Sequence, residues 1–173
     1  MEKRSFRSCS IAAAFLVAIS AFLVMAPASL AIMTQATMAD LTAGATGIVQ
    51  GKVLSVISEW DPEGKTIFTY VTVDVSRWIK GSGPKTVTVR VPGGEVGEVG
   101  LWVEDTPVFF EGQDVIAFLE PSNEAQVMQV KGWYQGKFTI KEGKVMEVGL
   151  PTGDFVRMVS SIVKMQEEKP NEK

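Results

Sequence analysis

Hydrophobic and polar residues alternate with a period of two over much of the chain after residue 46, which predicts β-strands. The clearest predicted strand is 66–79, where Val71, Val73, Val75 and Ile79 face one side and polar or aromatic residues face the other. Turn sequences rich in Gly, Pro and Asp separate it from its neighbours. Further strands are predicted at 48–57, 85–91, 115–119, 125–130, 136–140 and 144–148. We therefore predict an all-β sandwich or barrel with five or more antiparallel strands.

A helix is predicted at the carboxyl end of the chain. Apolar residues recur there at helical spacing, and either Thr152 or Asp154 is expected to cap the helix. We expect this apolar stripe to pack on the sheet, and a helix that binds a partner is the alternative. The stripe consists of Phe155, Met158, Val159, Ile162 and Met165.

The amino terminus has the pattern of an export signal. Lys3, Arg4 and Arg7 precede an apolar run over 11–25, and small residues follow at 27–31. This order is typical of a signal peptide that is cleaved after Ala31. A signal anchor retained in the membrane is the alternative, because the apolar residues over 11–33 approach the length that spans a bilayer.

These patterns divide the chain into five parts, which begin with a helical signal. The expected parts are a signal peptide at 1–31, a short helical lead-in at 32–45, a β-domain at 46–150, a helix at 151–166 and a charged tail at 167–173. The exported protein is expected to be secreted or otherwise extracytoplasmic. Its contact with a membrane would be limited to an uncleaved signal segment.

Composition narrows the chemistry that the exported chain can perform. The chain has no His, and its single Cys is Cys9, inside the predicted signal. Cleavage would also remove three basic residues and Glu2, which leaves 14 basic and 19 acidic residues and a net charge near −5. This charge disfavours binding to nucleic acid. The sequence contains no recognisable set of catalytic side chains. We therefore predict a protein that is not an enzyme and has no cofactor or metal centre.

The stretch from Gly47 to Leu119 resembles the netrin-like, or tissue-inhibitor-of-metalloproteinase-like, branch of the OB fold. The resemblance lies in the order of the segments 48–53, 69–73, 78–81, 86–89 and 110–119. The segments 93–97 and 135–138 also resemble Gly-Gly-x-Val-Gly and Gln-Gly-Lys-Phe segments of exported, uncharacterised prokaryotic proteins. The resemblance implies an OB-like barrel. It does not imply inhibition of a zinc protease, because the exported chain lacks the amino-terminal cysteine and the disulfides.

The glycine-rich segment 92–100 is predicted to be a loop and is the first candidate for partner recognition, through Gly94, Glu95 and Glu98. It lacks the Gly-Lys-Ser/Thr step of a phosphate-binding loop. Oxygen atoms of Glu95, Glu98, Glu104 and Asp105 offer calcium ligands as an alternative, although their spacing matches no known calcium loop. A solvated loop without a ligand is the simplest interpretation.

Aromatic residues beside loops complete the candidate site. Trp102 and Trp133 lie beside loops and are predicted to be exposed, and Tyr134 follows Trp133. Aromatic residues in loops are enriched at protein interfaces. The sequence therefore predicts an exported, non-enzymatic binding module whose partner is an extracytoplasmic protein or glycan. Two alternatives stay open: a hydrolase, or hydrolase accessory domain, acting on an extracytoplasmic substrate, and a calcium-stabilised adhesion-type domain.

Overall fold

The computed structural model describes residues 35–168. The predicted signal helix, the cleavage after Ala31 and the tail beyond residue 168 lie outside these residues. The described part is mostly β-sheet with a helix at its carboxyl end, as predicted. In chain order the elements are α1 (Met38–Gly44), β1 (Gly47–Trp60), β2 (Ile67–Lys80), β3 (Thr86–Pro92), β4 (Gly94–Val96), β5 (Val99–Leu101), β6 (Asp114–Pro121), β7 (Val127–Val130), a 3-10 helix (Trp133–Gly136), β8 (Lys137–Lys141), β9 (Lys144–Val145), β10 (Leu150–Pro151) and α2 (Thr152–Glu167).

Eight of the described strands form one sheet in the order β1-β2-β3-β7-β6-β8-β9-β10. Strand β1 also pairs with β6 over Gly47–Lys52, so the pairings among β1, β2, β3, β7 and β6 return to β1. The prediction of antiparallel strands is wrong for one pair, because β3 and β7 are parallel. A parallel pair needs a long connection, and the chain supplies it through β4, β5 and β6 before β7 begins.

Strand β6 separates two hydrophobic cores, which explains why its sequence is apolar throughout. Val115, Ala117 and Leu119 belong to the first core, which is formed by strand residues together with Phe109. Ile116 and Phe118 belong to the second core, which also contains the buried apolar residues of both α-helices. The prediction that this strand is covered on both faces is therefore confirmed.

Register shifts in β1 and β2 change which side chains face the first core. Gly51 pairs with Val75, and Val49 pairs with Trp78, so one extra β2 residue lies between these pairs. A bulge of this kind reverses the alternation beyond it. The predicted faces are wrong there, because Trp78 packs on the first core and Ile79 packs on the second. At Gly51 a Cβ atom would overlap the carbonyl oxygen of Asp74, so the glycine permits this close approach.

Hydrogen bonds from side chains hold both ends of helix α1. At its start, the Thr37 hydroxyl accepts from the Asp40 backbone N–H, and the Asp40 carboxylate accepts from the Thr37 backbone N–H, each over 3.1 Å. This reciprocal pair is a capping box. At its end, Lys80 Nζ donates to the carbonyl oxygens of Thr42 and Ala45 over 2.6 and 2.7 Å. The lysine therefore ties α1 to β2.

Helix α2 differs from its prediction in its cap and in its buried face. The N-cap residue is Pro151, and neither Thr152 nor Asp154 provides a side-chain cap. The chain enters the helix directly from β10, and the Thr152 N–H donates to the Gly143 carbonyl oxygen over 2.9 Å. The buried face consists of Phe155, Val156, Val159 and Val163.

The predicted α2 stripe is therefore only partly correct. Phe155 and Val159 are buried, but Met158 is 37% exposed and Met165 is 54% exposed. Apolar residues cover a wide arc of this helix, so the sequence alone leaves its orientation open. The second core, in which Phe155 contacts Phe138, determines the side that is buried. Within residues 35–168, neither helix is long and apolar enough to cross a membrane.

The segment predicted as a glycine-rich loop is a β-hairpin. Strands β4 and β5 pair antiparallel, with Gly94 opposite Leu101, Glu95 opposite Gly100 and Val96 opposite Val99. The turn lies at Gly97 and Glu98, and Gly97 has a φ of 62°. The prediction failed because short strands that contain glycine lack a clear apolar alternation. We refer to Gly94–Leu101 as the β4–β5 hairpin.

A candidate apolar binding site beneath the hairpin

A chain of hydrogen bonds fixes the base of the β4–β5 hairpin to strands β1 and β2. The Thr69 hydroxyl donates to the carbonyl oxygen of Gly93 over 2.7 Å, and Ser58 Oγ lies 2.9 Å from Thr69 Oγ1. A hydroxyl has one hydrogen, so Ser58 is the donor to Thr69. The Gly93 N–H also donates to the Ile67 carbonyl oxygen over 2.9 Å. The hairpin is therefore attached through backbone and side-chain groups together.

Gly94 is the point at which the hairpin crosses closest to these hydroxyl groups. A Cβ atom on Gly94 would overlap Ser58 Oγ and Thr69 Oγ1. Its φ of 137° is also one that L side chains rarely adopt. Glycine is therefore required at this position for two independent reasons, contact and backbone conformation.

A cavity of about 390 Å³ lies between the hairpin, the first core and the segment 102–109. Its floor includes Val56 and Val71, and its opposite wall includes Leu101, Trp102 and Phe109. Ten of the seventeen lining residues are apolar, and four have polar side chains. The polar side chains are those of Ser58, Thr69, Glu95 and Thr106. A mostly apolar cavity of this size with a few polar groups is typical of a site for a small ligand or an inserted side chain.

Exposed apolar side chains surround the opening of this cavity. Trp102 is 86% exposed although it lines the cavity, and Val108, another lining residue, is 51% exposed. Phe110 is next along the chain and is 65% exposed. The cavity is therefore continuous with apolar surface that solvent reaches.

The structure divides the six candidate residues from the sequence into three groups. Gly94, Glu95 and Trp102 line the large cavity. Trp133 lines a second cavity, and Tyr134 follows it in the 3-10 helix. Glu98 lies in the hairpin turn and lines neither cavity.

The second cavity is smaller and more polar than the first. Its volume is about 110 Å³, and it shares Val91, Pro92 and Pro107 with the large cavity. Trp133 has a φ of 58°, an uncommon conformation for a bulky residue. The N–H of the next residue, Tyr134, donates to the Asp105 carbonyl oxygen over 3.0 Å. This bond connects the 3-10 helix to the segment that borders the large cavity.

Sequence reasoning missed the floor of the large cavity. Ser58 and Thr69 come from β1 and β2, far along the chain from the hairpin. The alternation of side chains along β2 could have identified Thr69, because Thr69 shares the face of Val71 and Val73, which were predicted to point inward. An inward hydroxyl among valines is a polar group that needs a partner.

Acidic side chains predominate around the large cavity. The segment 91–114 contains six acidic residues and neither Lys nor Arg. Glu95 lines the cavity, and Glu104 and Asp105 lie between the lining residues Val103 and Thr106. The Glu111 carboxylate accepts a hydrogen bond from the Val56 N–H over 3.4 Å.

A half-buried cation lies behind the cavity wall. Lys137 Nζ is 5.6 Å from the centre of the Phe109 ring and donates to Thr139 Oγ1 over 2.8 Å. Burial lowers the pKa of the Lys137 ammonium, and the nearby Glu147 carboxylate opposes that effect. This lysine belongs to β8, the strand behind the cavity.

The described acidic side chains around the large cavity are not gathered into one group. Within residues 35–168, no group of three or more His, Cys, Asp or Glu side chains is placed to hold a metal ion. Glu95, Glu98, Glu104 and Asp105 are therefore not placed as a group of three or more side-chain ligands. Glu95 is the one carboxylate that lines the large cavity, and Glu120 is the one that lines the small cavity.

The aromatic face predicted on the other side of β2 is partly covered. The Arg90 guanidinium lies 4.4 Å from the centre of the Phe68 ring. Arg90 also pairs with Glu124 over 3.4 Å, and the Tyr70 hydroxyl donates to Glu124 over 3.0 Å. Burial, followed by the Glu124 carboxylate, raises the pKa of Tyr70. These contacts leave the ring of Phe68 less available for stacking on a sugar or a base.

Comparison with known proteins gives this chain no assignment, since it matches no protein-family model and no curated protein sequence.

Proposed function

We propose that this protein is an exported, non-enzymatic binding module that accepts an apolar group in the cavity beneath the β4–β5 hairpin. The main observation that supports this proposal is the cavity of about 390 Å³ with its apolar lining and exposed apolar rim. Apolar groups enter such a cavity favourably because they leave water. Ser58, Thr69 and Thr106 supply the few polar groups that orient a ligand.

We also propose that the framework of this site is an OB-like barrel of the netrin-like type. The ring of pairings among five strands, β1, β2, β3, β7 and β6, supports this proposal. The OB fold is a five-stranded Greek-key barrel, and many of its members bind ligands through loops between strands. The β4–β5 hairpin lies in the connection between β3 and β6, so it follows the same general plan.

We favour a binding module over a hydrolase because of the number of carboxylates that line each cavity. Glycoside hydrolysis uses two of them facing each other across a cleft. Each cavity described above has a single carboxylate in its lining, Glu95 or Glu120. We infer export from the basic and apolar pattern of residues 3–31.

Among the partners expected from the sequence, the cavity favours a protein over a glycan. Glycans present hydroxyl groups along their length, and each buried hydroxyl needs a hydrogen-bond partner. Ten apolar lining residues offer few such partners. An aliphatic or aromatic side chain of a partner protein matches the lining better.

The test is a titration of the purified protein with N-phenyl-1-naphthylamine, a neutral apolar dye whose fluorescence rises in apolar sites. We expect saturable binding at one site per chain. Trp102→Ala should weaken binding by about tenfold, as expected for an aromatic anchor at a binding site. The matched control is Trp60→Ala, because Trp60 is 42% exposed and lines neither cavity.

A second variant changes the cavity without removing an aromatic ring. A Cβ atom on Gly100 would have only an ordinary 3.6 Å contact with Glu95 Cγ, so Gly100→Leu is expected to fold. Because Gly100 lines the cavity, the added side chain should weaken binding of the dye. Equal binding by wild type, Trp102→Ala and Gly100→Leu would contradict the proposed site.

A further inference from the structure

We propose that the natural occupant of the hairpin cavity is a polypeptide segment that presents an apolar side chain flanked by Lys or Arg. This inference rests on the proposed function and adds the chemistry of the partner. It follows from the charges that border the cavity, together with the apolar lining.

Among residues 35–168, five acidic residues that border the cavity are exposed and pair with no basic side chain. Glu95, Glu98, Glu104, Asp105 and Glu111 are all exposed. Within residues 35–168, none of these five participates in an ion pair; the sixth acid of the segment, Asp114, pairs with Lys52 over 3.6 Å.

Two basic side chains near the cavity are already engaged in other contacts. Arg90 lines the small cavity, but its side chain is only 15% exposed, and it pairs with Glu124. Lys137 is half-buried behind Phe109 and bonds to Thr139. Neither presents a free positive charge to a ligand that enters past Trp102.

This arrangement selects a cationic partner by charge complementarity. A like-charged ligand would be repelled at the rim, whereas Lys or Arg beside the inserted side chain would meet unpaired carboxylates. The same carboxylates disfavour an anionic membrane surface, which attracts basic proteins. A polypeptide is favoured because its sequence can place an apolar side chain between two cations at a fixed spacing.

The experiment compares short peptides that share a central Leu-Val-Leu sequence and differ only in their flanking residues, which are Lys, Ser or Glu. We expect the Lys-flanked peptide to bind about tenfold more tightly than the Ser-flanked one, as a few exposed ion pairs allow. The Glu-flanked peptide should bind most weakly. High salt should remove the advantage of the Lys-flanked peptide, because exposed charges are screened.

Charge variants locate the effect on the protein. The variant Glu98→Gln/Glu104→Gln/Asp105→Asn changes acidic residues that border the cavity without lining it. It should lose the preference for Lys and bind the neutral dye as wild type does. Asn is used at position 105 because it tolerates the φ of 60° found there. The control Glu142→Gln/Glu167→Gln/Glu168→Gln changes the net charge equally at residues that line neither cavity and should keep the preference.

The outcomes separate this inference from the proposed function. If the dye binds but the three peptides bind equally, the inference is overturned and the binding module stands. If neither the dye nor any peptide binds, both fail. If the protein binds anionic vesicles more tightly than it binds the Lys-flanked peptide, the inference of a polypeptide partner is overturned and a membrane surface is favoured.

Discussion

The Thr69 hydroxyl lies 2.7 Å from the carbonyl oxygen of Gly93, which joins the start of β2 to the base of the β4–β5 hairpin. Thr69 also accepts from Ser58, so one threonine connects three separate segments. The hairpin forms one wall of the large cavity, and both hydroxyl groups lie in its lining. The hydrogen bonds that hold the hairpin therefore also determine the shape of the cavity.

Thr69→Val should lower the free energy of unfolding by about 1 to 2 kcal/mol. The substitution keeps the shape of the side chain but leaves the Ser58 hydroxyl and the Gly93 carbonyl each without this partner. Urea unfolding measures the change. The control is Thr72→Val on the same strand, a half-buried residue whose hydroxyl has no such role in the described contacts.

The same variant should also weaken dye binding and speed hydrogen exchange of the Val96 and Val99 amides. Local opening becomes easier when the bonds that attach the hairpin are lost. Unchanged exchange at these amides would show that Thr69 does not hold the hairpin.

Gly94→Ala should destabilise the fold by about 2 to 3 kcal/mol, because it combines backbone strain with overlap. The added Cβ atom meets Ser58 Oγ and Thr69 Oγ1 at a φ of 137°. Gly97, in the same hairpin, has a φ of 62° and open space around it. Gly97→Ala should therefore lower the free energy of unfolding by only about 1 kcal/mol. Thermal or urea unfolding of the two variants tests the difference. Equal losses would show that contact with the hydroxyl groups is unimportant.

Lys80→Met should lower the free energy of unfolding by about 1 to 3 kcal/mol, because charged donors form the stronger hydrogen bonds. The variant keeps the aliphatic stem but leaves the Thr42 and Ala45 carbonyl oxygens without the ammonium. Lys85→Met is the matched control, since its side chain is 82% exposed and lies 3.9 Å from Asp74. A loss no greater than that of the control would contradict the role of Lys80 in holding α1.

Asp40→Asn should lower the melting temperature at neutral pH but not in strong acid. Hydrogen bonds from Thr37 lower the pKa of Asp40 below its ordinary value of 3.8. The ionised carboxylate therefore contributes stability above pH 3.8, and this contribution is lost as the pH falls through the folded-state pKa. Melting curves across this range measure the difference between wild type and variant. A difference that persists in strong acid would mean that the charge of Asp40 is not responsible.

The sequence was sufficient for elements with strong local patterns. Strand β2, the apolar strand β6 and helix α2 follow from alternation, continuous hydrophobicity and helical spacing. The face reversal at Trp78 did not follow, because it results from a bulge paired with Gly51, which is distant in the chain. The buried side of α2 likewise depends on its contact with Phe138.

The candidate site shows the same division between local and distant information. Trp102, Glu95 and Gly94 were found from local composition, since they lie together in the hairpin and the residues after it. The cavity itself was not predicted, because its floor comes from β1 and β2. Trp133 and Glu98 were grouped with the others from sequence, and neither lines the large cavity.

The most direct test of the central claim is a methyl NMR titration of the protein with N-phenyl-1-naphthylamine. We expect the methyl signals of Val56, Val71 and Leu101 to move together and saturate, since these residues line the large cavity. The methyl signals of Val159 and Val163, in the second core, should stay unchanged. Saturable shifts in the second core, with none among the cavity methyls, would contradict binding beneath the hairpin.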